Sequence, residues 1–370
     1  MLHRRLALAD KHSDHFRQRG RNLLRLAFPS VALLYVCSFS SAPAGSAQAQ
    51  SASSTTWTAT IVLPPKIVAS NPVTLAVLGM DGRLASGVTV ELGDDRRVTT
   101  DRTGRAFFNA PSAGSVLLAR SSGASTAALV DAAPPVGVLP TIAVAPVVSL
   151  RDRFSICGSG LRGNSDENRV KIDGAPVLVI AASPECVVVL PERKATPGAA
   201  QLSVAASGAA LTATTTIVAL DFESPDPPLL PGKRGRLVIG AHGSEDRLRI
   251  VVDNQTPDVV RFLRRDVQEL LTSGGPRNFA ALEVQAIRSG DFSFQARLLS
   301  APDVDAALRY LQAAGPLAPN RLQHDLSKLA SRLAHHPRDF EQVRREVEQM
   351  SSVAIAGDFR TLLEAARAAL

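Results

Sequence analysis

The chain has 370 residues, 45% of them hydrophobic and 4% aromatic, and 41 Lys and Arg stand against 34 Asp and Glu. The formal charge of +7 belongs mostly to the N-terminal end: residues 1–49 hold seven basic and two acidic side chains, which leaves 34 and 32 beyond them, a balance of +2. No polybasic block remains after residue 49 (Arg261–Arg265 has three arginines), and phosphate neutralisation needs a concentrated basic face, so no nucleic-acid partner is expected.

The first element is an export signal. Arg4, Arg5, Lys11, Arg17, Arg19, Arg21 and Arg25 form a long basic head. An apolar run from Leu26 to Phe39 follows, then the small-residue stretch Ala42–Ala49. Basic head, short apolar centre and an A-x-A site make the secretory pattern over 1–49, and Ala47-Gln48-Ala49 places the cut between Ala49 and Gln50. Pro29 interrupts the run, which is shorter than the ~20 residues a spanning helix needs. An uncleaved anchor is the alternative, and the only membrane contact expected. A lipid-modified Cys37 is a weaker alternative, because Val36 precedes it where a small residue is usual. Location is then periplasmic, cell-surface or secreted.

The residues beyond Ala49 exceed one ordinary domain, and two to four folding units are expected. Residues 50–56 are rich in Ser, Thr and Ala and read as a flexible lead. From Trp57 to Asp131 short alternating runs are broken by turns. Val73, Leu75 and Val77 precede the turn Met80–Arg83; Val88, Val90 and Leu92 precede Gly93-Asp94-Asp95; Val98 leads to Asp101–Gly104; Ala106 and Phe108 resume. Strands at this spacing with Gly/Asp turns indicate a β-sandwich. The run PVTLAVLGMDGRLASGVTVELGDDRRVTTDRTGRAFFNAPSAG resembles bacterial Ig-like and carboxypeptidase-regulatory-like modules, in which a "DG…GV.V" and a "T.D..G.A.F" hairpin recur. That resemblance implies fold over 57–131 and no ligand. A Pro-rich linker over 132–145 follows.

Cys157 and Cys186 are the cysteines left after cleavage, and an even pair in an oxidising compartment points to one disulfide closing a 30-residue loop, with two buried thiols as the alternative. They lie in a module over 146–219. Its features are the opening "F.I.GSGL", then "NRVKIDG.P", "SP.CVVVLP" and "PGAAQLSV". This segment resembles an IPT/TIG domain of a bacterial secreted protein, an Ig-like fold found in cell-surface receptors, DNA-binding factors and secreted proteins. Export selects the extracellular branch. The resemblance also implies that Phe154–Cys157 and Cys186–Leu190 are neighbouring strands, which supports the disulfide.

A third β-rich module covers 220–300. Leu237 and Ile239, then Leu248, Ile250 and Val252, alternate around Gly243–Asp246. Leu282, Val284 and Ala286 and then Phe292, Phe294, Ala296 and Leu298 alternate around Ser289-Gly290-Asp291. The stretch 257–272 is ambiguous. Thr256-Pro257-Asp258 reads as a helix start, and Val259, Phe262, Leu263, Val267, Leu270 and Leu271 share a helical face. The same residues make two short strands, Val259–Leu263 and Val267–Leu271, joined at Arg264–Asp266.

From residue 301 the period becomes helical. Apolar stripes run through Val304, Ala307, Leu308, Leu311; Leu322, Leu326, Leu329, Leu333; Phe340, Val343, Val347, Met350; and Phe359, Leu362, Leu363, Ala366. Breaks fall at Gly315-Pro316, Pro337 and Gly357. These helices fold as a bundle of their own, pack on the third module, or dock a partner. The fold class expected is therefore mainly β, with tandem Ig-like sandwiches followed by a small all-α region over 301–370.

No catalytic, cofactor-binding or metal-ligating residues are expected. Gly158-Ser159-Gly160-Leu161-Arg162-Gly163 matches G-x-G-x-x-G, but a strand rather than a helix follows, so the glycines read as turn residues. There is no G-x-S-x-G, H-E-x-x-H or P-loop. His335 and His336 are adjacent, so they point to different faces of a helix and make poor joint ligands. His242 sits in a Gly-rich turn with no paired acid nearby. Asn164, Asp166, Glu167 and Asn168 lack the oxygen spacing of a calcium loop; Asp94, Asp95 and Asp101 read as turn residues. Scarce aromatics weigh against a dedicated glycan binder. The expected role is a non-enzymatic exported protein binding protein or polysaccharide. An accessory subunit of an envelope assembly, docking through its C-terminal helices, is the alternative, and a secreted hydrolase the third class.

Overall fold

Turns and strands alternate from Thr60 onward, as period-two patterning requires. The computed structural model describes residues 60–93, 95–134, 139–191, 195–206, 210–223, 229–263 and 267–370. The cleavage site at Ala49 and Gln50, the lead 50–56, Trp57, Asp94 and the join Arg264–Asp266 lie outside the described residues.

The first sandwich contains β1 (Thr60–Val62), β2 (Lys66–Val68), β3 (Pro72–Leu78), β4 (Thr89–Leu92), β5 (Arg97–Thr99), β6 (Arg105–Asn109), β7 (Val116–Ser121) and β8 (Ala124–Asp131). One sheet joins β1, β3 and β6; the other runs β2-β8-β7-β4-β5, with β2 parallel to β8. Val73, Leu75 and Val77 point into the core between them with Val90, Leu117 and Val130. The alternate side of β3 is also buried: Thr74, Ala76 and Leu78 are covered by the next module.

That module contains β9 (Ile142–Val144), β10 (Val147–Ser149), β11 (Phe154–Gly158), β12 (Arg169–Ile172), β13 (Ala175–Ala182), β14 (Cys186–Leu190), β15 (Gly198–Ala205) and β16 (Ala210–Glu223). β13 pairs with β12 through Ala175–Val177 and with β14 from Leu178 onward, with an irregularity between Val179 and Ala181 in the second pairing. β10 runs parallel to β16 and closes the sandwich as β2 closes the first. The Pro-rich stretch 132–145 ends in structure, since β9 pairs with β11. Gly158 needs its positive φ of 157°: a Cβ there would stand 1.9 Å from the Thr141 carbonyl oxygen. Gly158 is thus the last residue of β11, paired with Ile142, and not the turn residue expected: what it makes room for is the close approach of β9.

The two sandwiches are braced together. Val62, Ala76 and Leu78 pack on Ile180, Ala181 and Val188. The Thr74 hydroxyl donates to the Gly163 carbonyl at 2.7 Å and accepts from Ser165 N at 3.2 Å. Ser183 donates to the Lys66 carbonyl at 2.6 Å. Arg105 pairs with Asp166 at 2.6 Å and donates to the Val179 carbonyl at 2.8 Å.

The third sandwich begins inside β16. Val147–Ser149 and β15 pair with the earlier part of this strand, while Ala219–Glu223 pairs with β17 (Arg234–His242). The expected boundary at 219/220 thus falls within one continuous strand. Then come β18 (Arg249–Asn254), β19 (Val260–Phe262), β20 (Val267–Leu271), β21 (Phe279–Ala286) and β22 (Phe294–Leu298). Sheets β16-β17-β21-β19 and β20-β18-β22 face each other around Phe222, Phe262, Phe292 and Phe294. The ambiguous stretch 257–272 forms the two strands. β19 and β20 each fill the edge of a different sheet, which a helix could not do, and Leu271 from the apparent helical stripe is left 57% exposed.

Four helices end the chain: α1 (Val304–Ala314), α2 (Asn320–His335), α3 (Phe340–Val353) and α4 (Asp358–Ala369). Asp303 caps α1 by accepting from Ala306 N at 3.0 Å. The stripes expected from the sequence meet in one core, with Leu311, Leu329, Leu333, Val343, Val347 and Leu363 buried. That core extends to the first sandwich, where Leu129 is buried within it and Val116, Leu118 and Ala127 pack against it. The helices are therefore not self-contained. The fold class is mainly β, tandem Ig-like sandwiches with a small α region, and the helices close back on the first module.

Candidate functional site

β-pairing gathers a polar cavity on the outer face of the third sandwich. Val238, Gly240 and His242 follow one another on the side of β17 away from the core, and Gly240 lies between Asp221 of β16 and Phe279 of β21 in register. A cavity of about 410 Å³ opens there, lined by Glu223, His242, Glu245, Arg277 and Phe279 among others. Glu223, His242, Glu245 and Arg277 are exposed, and Phe279 is half-buried. A Cβ on Gly240 would lie 3.0 Å from His242 Nε2, so the missing side chain makes room for the imidazole.

The rim is fixed from below. Asn278 is buried; its amide donates to the Ser244 and Asp246 carbonyls at 3.0 and 2.7 Å and accepts from Gly274 N at 2.8 Å. It braces two loops. The Phe279 backbone N–H donates to Ser273 Oγ at 3.1 Å. Gly243 takes φ 100°, and a Cβ there would stand 2.4 Å from the Ile217 carbonyl oxygen, so the loop lies directly on the second sandwich.

His242 was expected to have no paired acid nearby; Glu223 and Glu245 share its cavity. With Arg277 and Phe279, the lining comes from three separated segments, and no local motif links them. The outward parity of Val238, Gly240 and His242, opposite Leu237 and Ile239, was the available signal.

No family model matches the chain, and no curated protein sequence matches it. Among solved structures it is similar to the titin I9–I11 tandem, at 11% identity over 65% of this chain and 94% of that one, with a TM-score of 0.20. A plexin A4 extracellular region matches at 12% identity over 65% of this chain, TM-score 0.27, and the chain spans 32% of it. A Bacteroides ovatus SGBP-B, solved with a mixed-linkage heptasaccharide, matches at 12% identity over 64% of this chain and 73% of that one, TM-score 0.22. At these TM-scores the likenesses carry no argument about function, and the strand pairings above stand by themselves.

The other residues noted in the sequence are placed as follows. Cys157 and Cys186 are directly opposite on β11 and β14 and are joined by a disulfide, with Cα atoms 4.1 Å apart. The loop with Asn164, Asp166, Glu167 and Asn168 forms a 3₁₀ turn over Ser165–Glu167 and wedges against the first sandwich. Its oxygens are engaged there: Asp166 meets Arg105, and buried Asn168 accepts from Arg162 N and donates to the Arg162 and Asn164 carbonyls. Asp101 accepts from the Thr103 hydroxyl and from the Thr103 and Arg105 backbone N–H groups, and these bonds, the hydroxyl first, hold its carboxyl below the usual range.

His335 and His336, expected on different faces, both line one shallow cavity of about 410 Å³ along α2 with His324 and Lys328. The helix ends at His335, and His336, at φ −130° and ψ 70°, has left helical geometry, so the 100° step between neighbours no longer applies. His335 Nδ1 donates to the Ser331 carbonyl at 2.8 Å. Among the described residues, no three His, Cys, Asp or Glu side chains converge as a metal set, and no helix is long and apolar enough to cross a membrane.

Proposed function

We propose that the chain is an exported, non-enzymatic protein of the cell envelope or surface, whose Ig-like modules serve as spacer and interaction surface for protein or polysaccharide. The Cys157–Cys186 disulfide carries this reading, because a disulfide between core strands belongs to an oxidising compartment. The braced contacts between modules add to it: they suit a scaffold that holds its outer faces at set positions. In this reading residues 1–49 leave by cleavage between Ala49 and Gln50, 57–131 is the first Ig-like module, and 146–219 is an IPT/TIG-like domain. The test is fractionation of the producing cell with N-terminal sequencing and thiol titration of the denatured, unreduced product. The expected result is an exported chain starting near Gln50 without free thiols; a cytoplasmic chain with two free thiols overturns it.

The alternative, an envelope subunit docking through its C-terminal helices, meets an obstacle. Their apolar stripes are occupied by one another and by β7 and β8. Val353 and Ile355, 63% and 90% exposed at the α3–α4 corner, and Leu317, 47% exposed between α1 and α2, are the large apolar groups left for it among the described residues. Cross-linking with Ile355→Ser against the unchanged chain separates the readings, since only the docking reading expects lost partners.

A further inference from the structure

The cavity beside β17 combines groups that the spacer role does not use. Glu223 and Glu245 bring acceptors, Arg277 brings donors and His242 brings two ring nitrogens, so two carboxylates stand with one guanidinium. Phe279 contributes an apolar ring edge or face, yet it is not part of the sandwich core. Its backbone is pinned at Ser273, and Asn278 beneath holds both loops, so these groups are presented at defined positions. The size lies within the range of small-ligand sites, about 300–1,000 Å³.

We propose that this cavity binds a sugar residue of a neutral polysaccharide. A hydroxyl both donates and accepts, and the lining of the cavity holds both carboxylate acceptors and a guanidinium donor for such groups. A pyranose also has an apolar C–H face, and Phe279 is the surface for it. Glu223 and Glu245 repel an anionic ligand, and Arg277 offsets part of their attraction for a cationic one, whereas a neutral ligand meets neither repulsion. The aromatic scarcity of the whole chain does not weigh against this, because one residue-sized site needs one ring. The assignment rests on the chain being an exported binding protein.

The test is native affinity electrophoresis of the full exported chain through gels containing a neutral α-glucan, a neutral β-glucan, a galactomannan or, as the charged comparison, alginate. The expected result is retardation in at least one neutral gel. Phe279→Ala should weaken it about tenfold or more, the size of a binding hot spot, with an unchanged unfolding midpoint. Glu223→Gln and Arg277→Ala, both at exposed positions, give the same reading should Phe279→Ala fold poorly. Retardation in no neutral gel, or retardation unchanged in all three variants, overturns the assignment. So does retardation in alginate alone. Fractionation of the same cells keeps the two readings apart: an exported chain without polysaccharide retardation sinks the sugar site and leaves the exported spacer standing.

Discussion

The hydroxyl of Thr361, in the last helix, lies 2.7 Å from the hydroxyl of Ser125 in the first sandwich, a hydrogen bond across 236 positions of sequence. It marks a closure of the chain on itself. Arg120 pairs with Asp358 beside it, and Arg309 pairs with Asp131 at 2.5 Å. At the other end of the bundle, Arg344 and Arg249 both meet Glu269 and Glu341, tying α3 to the third sandwich. The helices thus hold the first and third modules together.

The apolar part of this closure should dominate its stability. Leu363 is fully buried between α4 and its neighbours. Leu363→Ala is expected to cost about 2–5 kcal/mol, the usual range for a buried leucine, read by urea unfolding. The same variant should make the helical region the first target of limited proteolysis.

Arg344 is the ion-pair position with most to lose. Its side chain is 9% exposed, while Glu269 and Glu341 are 42% and 43% exposed. Solvent screens the acids, so Arg344→Ala should cost about 1–2 kcal/mol rather than the ~3–5 of a fully buried pair. A double-mutant cycle with Glu269→Ala, run at low and high salt, measures the coupling, which should shrink as salt rises.

Reducing Cys157–Cys186, or replacing both by serine, is expected to cost about 3–4 kcal/mol through the freed unfolded chain. Denaturant midpoints with and without reductant check this; equal midpoints would show that the bond adds nothing.

A Cβ on Gly163 would stand 1.8 Å from the Pro72 carbonyl oxygen at the junction of the first two sandwiches. Gly163→Ala should therefore separate the loop from β3 and cost about 1–3 kcal/mol. Hydrogen exchange should then rise at Ser165 N, whose acceptor is Thr74 Oγ1.

Glu185 sits where the junction and the helices approach. Burial first, and then the Asp131 carboxylate, push its carboxyl above the ordinary range, against the pull of Lys66. A raised folded value means the fold prefers the protonated acid. That contribution is fully present below the unfolded value, about 4.3, and is lost as pH rises through the folded value. Glu185→Gln should hence raise the unfolding midpoint at pH 7 and change little at pH 4. Equal effects at both pH values would sever the link to titration.

Local chemistry was largely legible in the sequence. Leu237 and Ile239 alternate into the core as read, and the helix breaks fall at Gly315-Pro316, Pro337 and Gly357. Where the pattern served two periods, at Val259–Leu271, local signals balanced; two vacant sheet edges, which only the assembled sandwich provides, favour the strands. The cavity was hidden for the same reason, since His242, Glu223 and Phe279 come to line one cavity only through the pairing of β16, β17 and β21.

By itself, the sequence determined which faces had to be covered, because the period of apolar residues along a segment is a local property of strand or helix. It also placed Cys157 and Cys186 in runs of strand type. Only the tertiary structure decided what covers each face. The stripes of the last helices need an apolar neighbour, and several surfaces would have served; shape and chain closure selected β7 and β8 of the first module. Such choices depend on contacts between residues far apart in sequence, and no local pattern encodes a partner that distant.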